Sequence, residues 1–327
     1  MSHWTHEAGL RLFGSGGERN WIVTTAIGGN YFSQWEGQTA STWVDYARRF
    51  GLGIAVFTSD INRRDEPPRH GAWQKLLAPT VLQSVLDRDF RCLLVDTDVL
   101  ISPQAKNAFE EVAPGNIGVV SQQNNLPMGY LELRRRIAYL RRTFLDTAFP
   151  LDSGLVALPQ DFFRLAELEV REDFFCSGVV LLDSSCHADL FAEWYRTAPS
   201  DEAYARADWG EQLWLNYCVQ GRSDLQWLDY SWQALWLYEV ATFYPFLYSR
   251  SAEPEIAQWC LASSLLRNNF VHLAGRWEQE LLGEWQPEFP GVDSFNEFAV
   301  MLERHQKMIL GGTLQGVIVP LDARRKT

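Results

Sequence analysis

The sequence predicts an α/β protein built on a parallel sheet with helices on both faces. Three observations carry that expectation. Trp21 to Ile27 (WIVTTAI), Gly53 to Thr58 (GIAVFT) and Arg91 to Val95 (RCLLV) are short apolar runs rich in β-branched residues, the pattern of strands buried on both faces. Between them lie Ser41 to Phe50 (STWVDYARRF), with helical apolar spacing, a Ser/Thr start and a Gly51 stop, and a second helix around Lys75 to Leu86. The runs end in turn residues: Gly28-Gly29, Ser59-Asp60 and Asp96-Thr97-Asp98. In such a sheet ligands sit at the carboxyl ends of the strands.

Further strands of the same sheet are expected at Asn116 to Ser121 (NIGVVS) and Ser177 to Leu182 (SGVVLL), with helices or loops over 125–170. Beyond about residue 186 the pattern changes to helices and aromatic-rich connections, and nine of the fourteen tryptophans fall between Trp194 and Trp285. Residues 1–19, Gly-rich and polar, read as a flexible leader. Residues 20–185 then form a ligand-binding half, and 186–327 a more variable half of the same domain.

Composition narrows the function. The 327 residues are 46% hydrophobic, enough for a substantial core, and carry a formal net charge of −12. General attraction to nucleic-acid phosphates is therefore not expected, and an anionic ligand needs a local metal or a few placed cations. The five cysteines are odd in number, widely spaced and lack a CxxC pair, which argues against a disulfide framework and a structural zinc, and fits a reducing cytoplasm. The N-terminus lacks a basic start followed by an apolar run, and no stretch reaches the roughly 18–20 apolar residues that span a bilayer. The basic segment Leu133 to Arg142 (LRRRIAYLRR) offers a solvated helix face or, less commonly for such runs, a peripheral contact with a membrane.

Asp96 and Asp98 stand just beyond the RCLLV run, where a parallel sheet places its ligands. Two carboxylates so close repel unless a cation lies between them, and Mg²⁺ or Mn²⁺ accepts oxygen ligands from protein and phosphate together. The alternative is a strand end with a turn Asp or a helix cap.

Four further segments follow the family order in which D-x-D occurs. RCLLVDTDVLI resembles the D-x-D segment of GT-A glycosyltransferases, particularly family 8 with its retaining galactosyl- and glucosyltransferases. Phe175 to Asp183 (FCSGVVLLD) is similar to the family's F-N-S-G segment with Cys176 in the Asn place, Gly210 to Asn216 (GEQLWLN) to its D-Q-x-x-L-N segment, and Phe270 to Gly275 (FVHLAG) to its H-F-x-G segment. Thr25 to Tyr31 (TAIGGNY) resembles its donor-base loop. The W-x-K element at Trp73 to Lys75 and the HLAG segment also resemble the retaining galactosyl- and xylosyltransferases related to yeast mannan enzymes.

The resemblance implies a GT-A nucleotide-diphospho-sugar transferase fold, a mixed and mostly parallel sheet flanked by helices in a single domain. It implies a retaining hexosyl transfer from a nucleotide sugar, with UDP the expected nucleotide, to a saccharide or other hydroxyl acceptor. The metal, Mn²⁺ or Mg²⁺, would take Asp96, Asp98 and His272. Donor contacts would come from Thr25, Ala26, Gly28, Asn30 and Tyr31, from Asp60, from the basic Lys75, and from Asp96 and Thr97. Gly178 and Gly275 are read as close backbone approaches to the ligand, and Arg276 as a cation for the leaving diphosphate. Glu211 would hold sugar hydroxyls, Gln212 would lie near the anomeric carbon, and Asp183 is counted with them as catalytic.

Three positions depart from the pattern: Gly28 for the Asp that reads uracil, Glu278 for a phosphate-binding Lys, and Cys176 for Asn. Trp227, Tyr230, Trp232 and Trp236 are candidate stacking surfaces for an acceptor sugar, against the common use of tryptophan in cores. Two other functions compete. A nucleotide-sugar-forming nucleotidyltransferase shares the sheet and carboxylates but needs a charged Gly-rich first loop, and a non-catalytic carbohydrate-binding protein would use the tryptophans alone.

Overall fold

The computed structural model describes residues 3–7, 9–62, 66, 69–145, 158–199, 211–249 and 254–282, without the side chains of 3–7, 254, 255, 276 and 277. All belong to one unit, Met1–Pro287; Glu288–Thr327 form a second unit outside the described residues. The strands are β1 (His3–Glu7), β2 (Leu10–Gly14), β3 (Asn20–Thr25), β4 (Gly53–Phe57), β5 (Arg91–Val95), β6 (Val99–Ile101), β7 (Ile117–Ser121), β8 (Phe175–Asp183), β9 (Leu225–Leu228), β10 (Ala234–Leu235) and β11 (Phe270–His272). Eight form the main sheet in the order β1-β2-β4-β3-β5-β8-β7-β9, and three form a small sheet in the order β10-β11-β6.

Within the main sheet β3 runs parallel to β4 and β5, and β7 parallel to β9, while β2 and β8 oppose both of their neighbours. Six of the eight strands thus point one way, while four of the seven pairings are antiparallel, so the sheet is mixed. Side-chain alternation explains the unbroken apolar runs. Trp21, Val23, Cys92, Leu94, Val180 and Leu182 enter one core, and Ile22, Leu93, Val95, Val179 and Leu181 the other. The first is covered by helices Ala78–Leu86, Ser184–Thr197 and Glu211–Val219, the second by Ala40–Phe50. With both faces covered, the middle of each central strand is apolar, and polar side chains such as Thr25, Arg91, Ser177 and Asp183 fall at or near the strand ends. Truncating a fully buried residue such as Leu93 to Ala costs about 2–5 kcal/mol through lost burial and the cavity left behind.

Local chemistry sets the boundaries. Helix Ala40–Phe50 stops at Gly51, whose φ of 64° is left-handed and whose N–H returns to Ala47 O. The helix expected from Lys75 instead begins at Ala78, because Pro79 fits only the first turn; Gly71–Gln74 forms a separate short helix and Lys75 lies in the turn between.

The expected leader is corrected. β1 and β2 extend one edge of the sheet, with Leu10 and Phe13 buried. The apolar alternation LRLF is four residues long and sits between Gly9 and the Gly-rich GSGG, so its period is hard to see.

The basic segment lies in helix Tyr130–Phe144, where Arg134 and Arg141 are buried and Arg135, Arg136 and Arg142 are exposed. Among the described residues no helix is long and apolar enough to cross a membrane. The proposed sugar-stacking aromatics are mostly core: Tyr230, Trp232 and Trp236 are buried, and Trp227 is 36% exposed.

Candidate functional site

Asp96, Thr97 and Asp98 form a tight turn between β5 and β6. Every support of that turn comes from a distant part of the chain or closes it locally. Asp96 N–H donates to Gly178 O at 3.0 Å, and Val99 N–H to Asp96 O at 3.2 Å. The Thr39 hydroxyl donates to Thr97 O at 2.7 Å, and the Trp43 indole N–H to Val99 O at 2.7 Å. These bonds hold both carboxylates at the carboxyl edge of β5, next to Thr25 at the end of its parallel neighbour β3.

The small sheet delivers the histidine. β11 pairs antiparallel with β6 so that His272 lies opposite Val99, and Leu273 N–H donates to Asp98 O at 2.9 Å. His272 Nε2 is then 3.1 Å from Asp98 Oδ1. Opposite the turn, Lys75 Nζ is 2.5 Å from Asp96 Oδ1 and 3.0 Å from Glu211 Oε1. Ser177 Oγ accepts from Lys75 at 3.3 Å and donates to Glu211 at 2.9 Å.

Three carboxylates therefore face two cations. Burial works against a charge on Lys75, yet Asp96 and Glu211 outweigh it and raise its pKa above the ordinary value. Burial raises Glu211, but Lys75 and Ser177 overcome it and the carboxyl is held below its usual range. Asp98 is likewise lowered, because His272 outweighs burial. Asp96 goes up: burial dominates, and the Asp98 and Glu211 carboxylates add to it against Lys75 and His272. Burial favours neutral His272, but Asp98 prevails and raises it well above its ordinary value. A divalent cation relieves this crowding of carboxylates.

One ligand atom each from Asp96, Asp98 and His272 lies within 4.8 Å of the others. An ion with bonds of about 2.1 Å spans ligand atoms about 3–4 Å apart, so small side-chain rotations suffice. Two carboxylates and an imidazole suit Mn²⁺, and Mg²⁺ less well because it prefers oxygen. The side chains of Asp96 and Asp98 keep 31% and 34% of their surface open. That opening faces a cavity of about 260 Å³.

Thr25, Tyr31, Lys75, Asp96, Thr97, Asp98, Glu211 and His272, all named from the sequence, line that cavity. Others named with them do not. Ala26 is buried, with its N–H bonded to Phe57 O at 2.7 Å. Gly28 lies in the loop with φ 82°, and Asn30 O accepts the first N–H bond of helix Tyr31–Gln38 from Gln34. Asp60 accepts from the Gln74 amide at 2.8 Å. The Gln212 amide oxygen is taken by Ser177 N–H at 3.1 Å.

Gly178 approaches His272 rather than a ligand: a Cβ there would lie 2.4 Å from the imidazole. Gly275, at φ 100°, faces Glu278 and Leu237. The Arg276 side chain lies outside the described residues, as does Gly210. Glu278, in the place of the expected lysine, is fully buried and accepts from Arg141 at 2.8 and 2.7 Å. Tyr248 OH also donates to it, at 2.5 Å, so this position serves a structural clamp.

Asp183 is corrected outright. β8 runs antiparallel to β5, so Ser177 lies at the site and Asp183 at the opposite edge, about 20 Å away at ~3.3 Å per residue. There it accepts from Arg91 Nε at 2.7 Å and from Gly115 N–H. The sequence reading missed Ile27, Gln34, His70 and Gln279, which also line the cavity. Gln34 was within reach, since it follows Tyr31 by three residues on one helix face.

Comparison with solved structures finds similar chains among glycosyltransferases. One is a glycosyltransferase involved in glycosylation of the major capsid of PBCV-1, at 10% identity and TM-score 0.39, covering 80% of this chain and 96% of that one. A second is the galactosyltransferase LgtC in complex with donor and acceptor sugar analogs, at 13% identity and TM-score 0.40, covering 93% and 99%. A third is the bifunctional WbbM, at 10% identity and TM-score 0.44, covering 83% of this chain and 50% of that one. No family model matches the sequence, and no curated protein matches it. Similarity at this level leaves the function to be read from the chain's own site.

Proposed function

We propose that the protein is a metal-dependent glycosyltransferase of the GT-A type, transferring a hexose from a UDP-linked donor to a saccharide or other hydroxyl acceptor with retention. The observation that carries the reading is the convergence of Asp96, Asp98 and His272, from two sheets and opposite parts of the chain, on one edge of an open cavity. Asp96, Asp98 and His272 would hold Mn²⁺, which when bound supplies positive charge where the departing diphosphate develops negative charge.

The chain's own groups divide the remaining work. Lys75 is saturated by Asp96, Glu211 and Ser177, so it serves to hold two carboxylates in place. Glu211 stays ionised between Lys75 and Ser177 and offers acceptor oxygens to donor hydroxyls. Thr25, Tyr31 and Gln34 line the same cavity, and the resemblance directs the nucleoside toward them. Retention and UDP rest on the sequence resemblance around Glu211-Gln212 and Thr25 to Tyr31. The carbohydrate-binding alternative is weakened by the burial of Tyr230, Trp232 and Trp236, and the nucleotidyltransferase alternative by a first loop, Ala26 to Gly29, without a cation.

The test is calorimetry and thermal shift with UDP, GDP and their sugars, with and without Mn²⁺, on wild type and Asp98→Asn. Binding that needs both Mn²⁺ and Asp98 supports the reading and names the base. Nucleotide binding indifferent to both, or absent, overturns it.

A further inference from the structure

His272 has a second side. Its Nε2 faces Asp98, and its Nδ1 faces a fully buried amide, that of Gln233, at 3.0 Å. Gln233 stands just before β10, which pairs in parallel with β11 so that Leu235 lies beside His272. The residue is therefore built into the same small sheet that carries the histidine.

The orientation of the amide decides what it does. With its oxygen toward His272, that oxygen accepts from Nδ1 at 3.0 Å and from the N–H groups of Gly178 and Val179 at 3.2 Å each, while its NH₂ donates to Cys176 O at 3.0 Å. With the amide reversed, NH₂ would meet two backbone donors and its oxygen a carbonyl. In a site without solvent, such unmet groups are costly, so the first orientation prevails. The other group near Nδ1 is the Cys176 thiol at 3.6 Å, a weak partner by comparison.

The geometry points to Gln233 as a positioning residue for the metal centre: by accepting from Nδ1–H it fixes the His272 tautomer, so that the bare Nε2 is aimed at the ion held with Asp96 and Asp98. This rests on the reading of those three residues as metal ligands. A hydrogen-bond acceptor on the far nitrogen fixes the ring's rotation as well as its tautomer and makes the ligating nitrogen more basic. Gly178 completes the device, because its missing side chain lets the β8 backbone reach the same amide oxygen.

The experiment measures Mn²⁺ affinity, by the electron paramagnetic resonance of free Mn²⁺, for wild type, Gln233→Leu and Gln233→Glu. Leu removes the acceptor, and a loss of about 10- to 100-fold in affinity is expected. Glu, protonated on the oxygen that meets Cys176 O, keeps an acceptor toward Nδ1 and the two backbone N–H groups, and affinity within about threefold of wild type is expected, a rescue that general loss of packing would not give. Wild-type Mn²⁺ binding with Gln233→Leu equally tight overturns this inference and leaves the metal centre standing. A wild type that binds no Mn²⁺ overturns the metal centre and the inference together. If neither variant folds, the ¹⁵N spectrum of His272 in Mg²⁺-loaded wild type decides: a proton on Nδ1 supports the inference and a proton on Nε2 overturns it.

Discussion

Gly178 and His272 touch so closely that a Cβ on the glycine would lie 2.4 Å from Cε1 and 2.6 Å from Nδ1 of the ring. The neighbour that would have to yield is a buried imidazole pinned by Asp98 and Gln233. Gly178→Ala is expected to cost about 1–3 kcal/mol by overpacking and to weaken Mn²⁺ binding at least about tenfold by turning the ring. Thermal melts and Mn²⁺ titration check both, and unchanged affinity in a folded variant would mean the ring can move without leaving its ligand position.

Lys75→Met tests the strut between Asp96 and Glu211. Removing the ammonium leaves buried carboxylates facing one another, and because Asp96 keeps some exposure the expected destabilisation is about 2–3 kcal/mol without metal. Mn²⁺ should restore more stability to the variant than to wild type. Equal metal-induced stabilisation in both proteins would show that Lys75 does not share the ion's electrostatic task.

If His272 ligates the ion as proposed, protons and metal compete for it. Its folded pKa is raised by Asp98, so the pair's stabilisation of the metal-free protein is fully present below the unfolded value near 6.5 and lost as pH rises through the higher folded value. Asp98, being lowered, loses its part only as pH falls below about 4 through its folded value. Mn²⁺ must displace the imidazole proton, so its affinity is expected to increase from pH 6 to 8 with release of about one proton. Calorimetry in buffers of different ionisation enthalpy measures that number; zero would contradict ligation by His272.

Asp183→Asn separates the edges of the sheet. It weakens the pair with Arg91 and is expected to lower stability by about 1 kcal/mol while leaving Mn²⁺-dependent nucleotide binding unchanged. Loss of binding without loss of fold would return Asp183 to the site. Gln212→Ala, in contrast, is expected to leave donor binding nearly intact and to lower turnover, by freeing Ser177 N–H and disturbing the wall beside Glu211.

The residues legible in the sequence were those whose chemistry and position coincide. Asp96 ends an apolar run, Asp98 opens the next and His272 interrupts a third, and hydropathy alone shows such breaks. Asp183 ends one too, but strand direction depends on pairing with β5, which a single run does not encode. β1 and β2 were hidden by shortness, and Lys75 was read as a donor contact because its two carboxylate partners lie 21 and 136 residues away in sequence. Gln233 carried no signal at all: within LDYSWQ the aromatics draw notice, and the glutamine acquires its role only when β10 folds beside β11.

The three-residue strand that bears His272 also sets an order of events during synthesis. Asp96 and Asp98 leave the ribosome about 170 residues before it, and β11 is held by pairing with β6 and β10 and by packing against helix Pro254–Arg267. The nascent chain thus carries a pair of uncapped acids for most of its elongation, and the pocket closes only when this late strand docks. If Asp96, Asp98 and His272 hold an ion as proposed, ion capture requires that the chain has reached residue 272, and chains stalled before that point lack the grip that would let metal stabilise them.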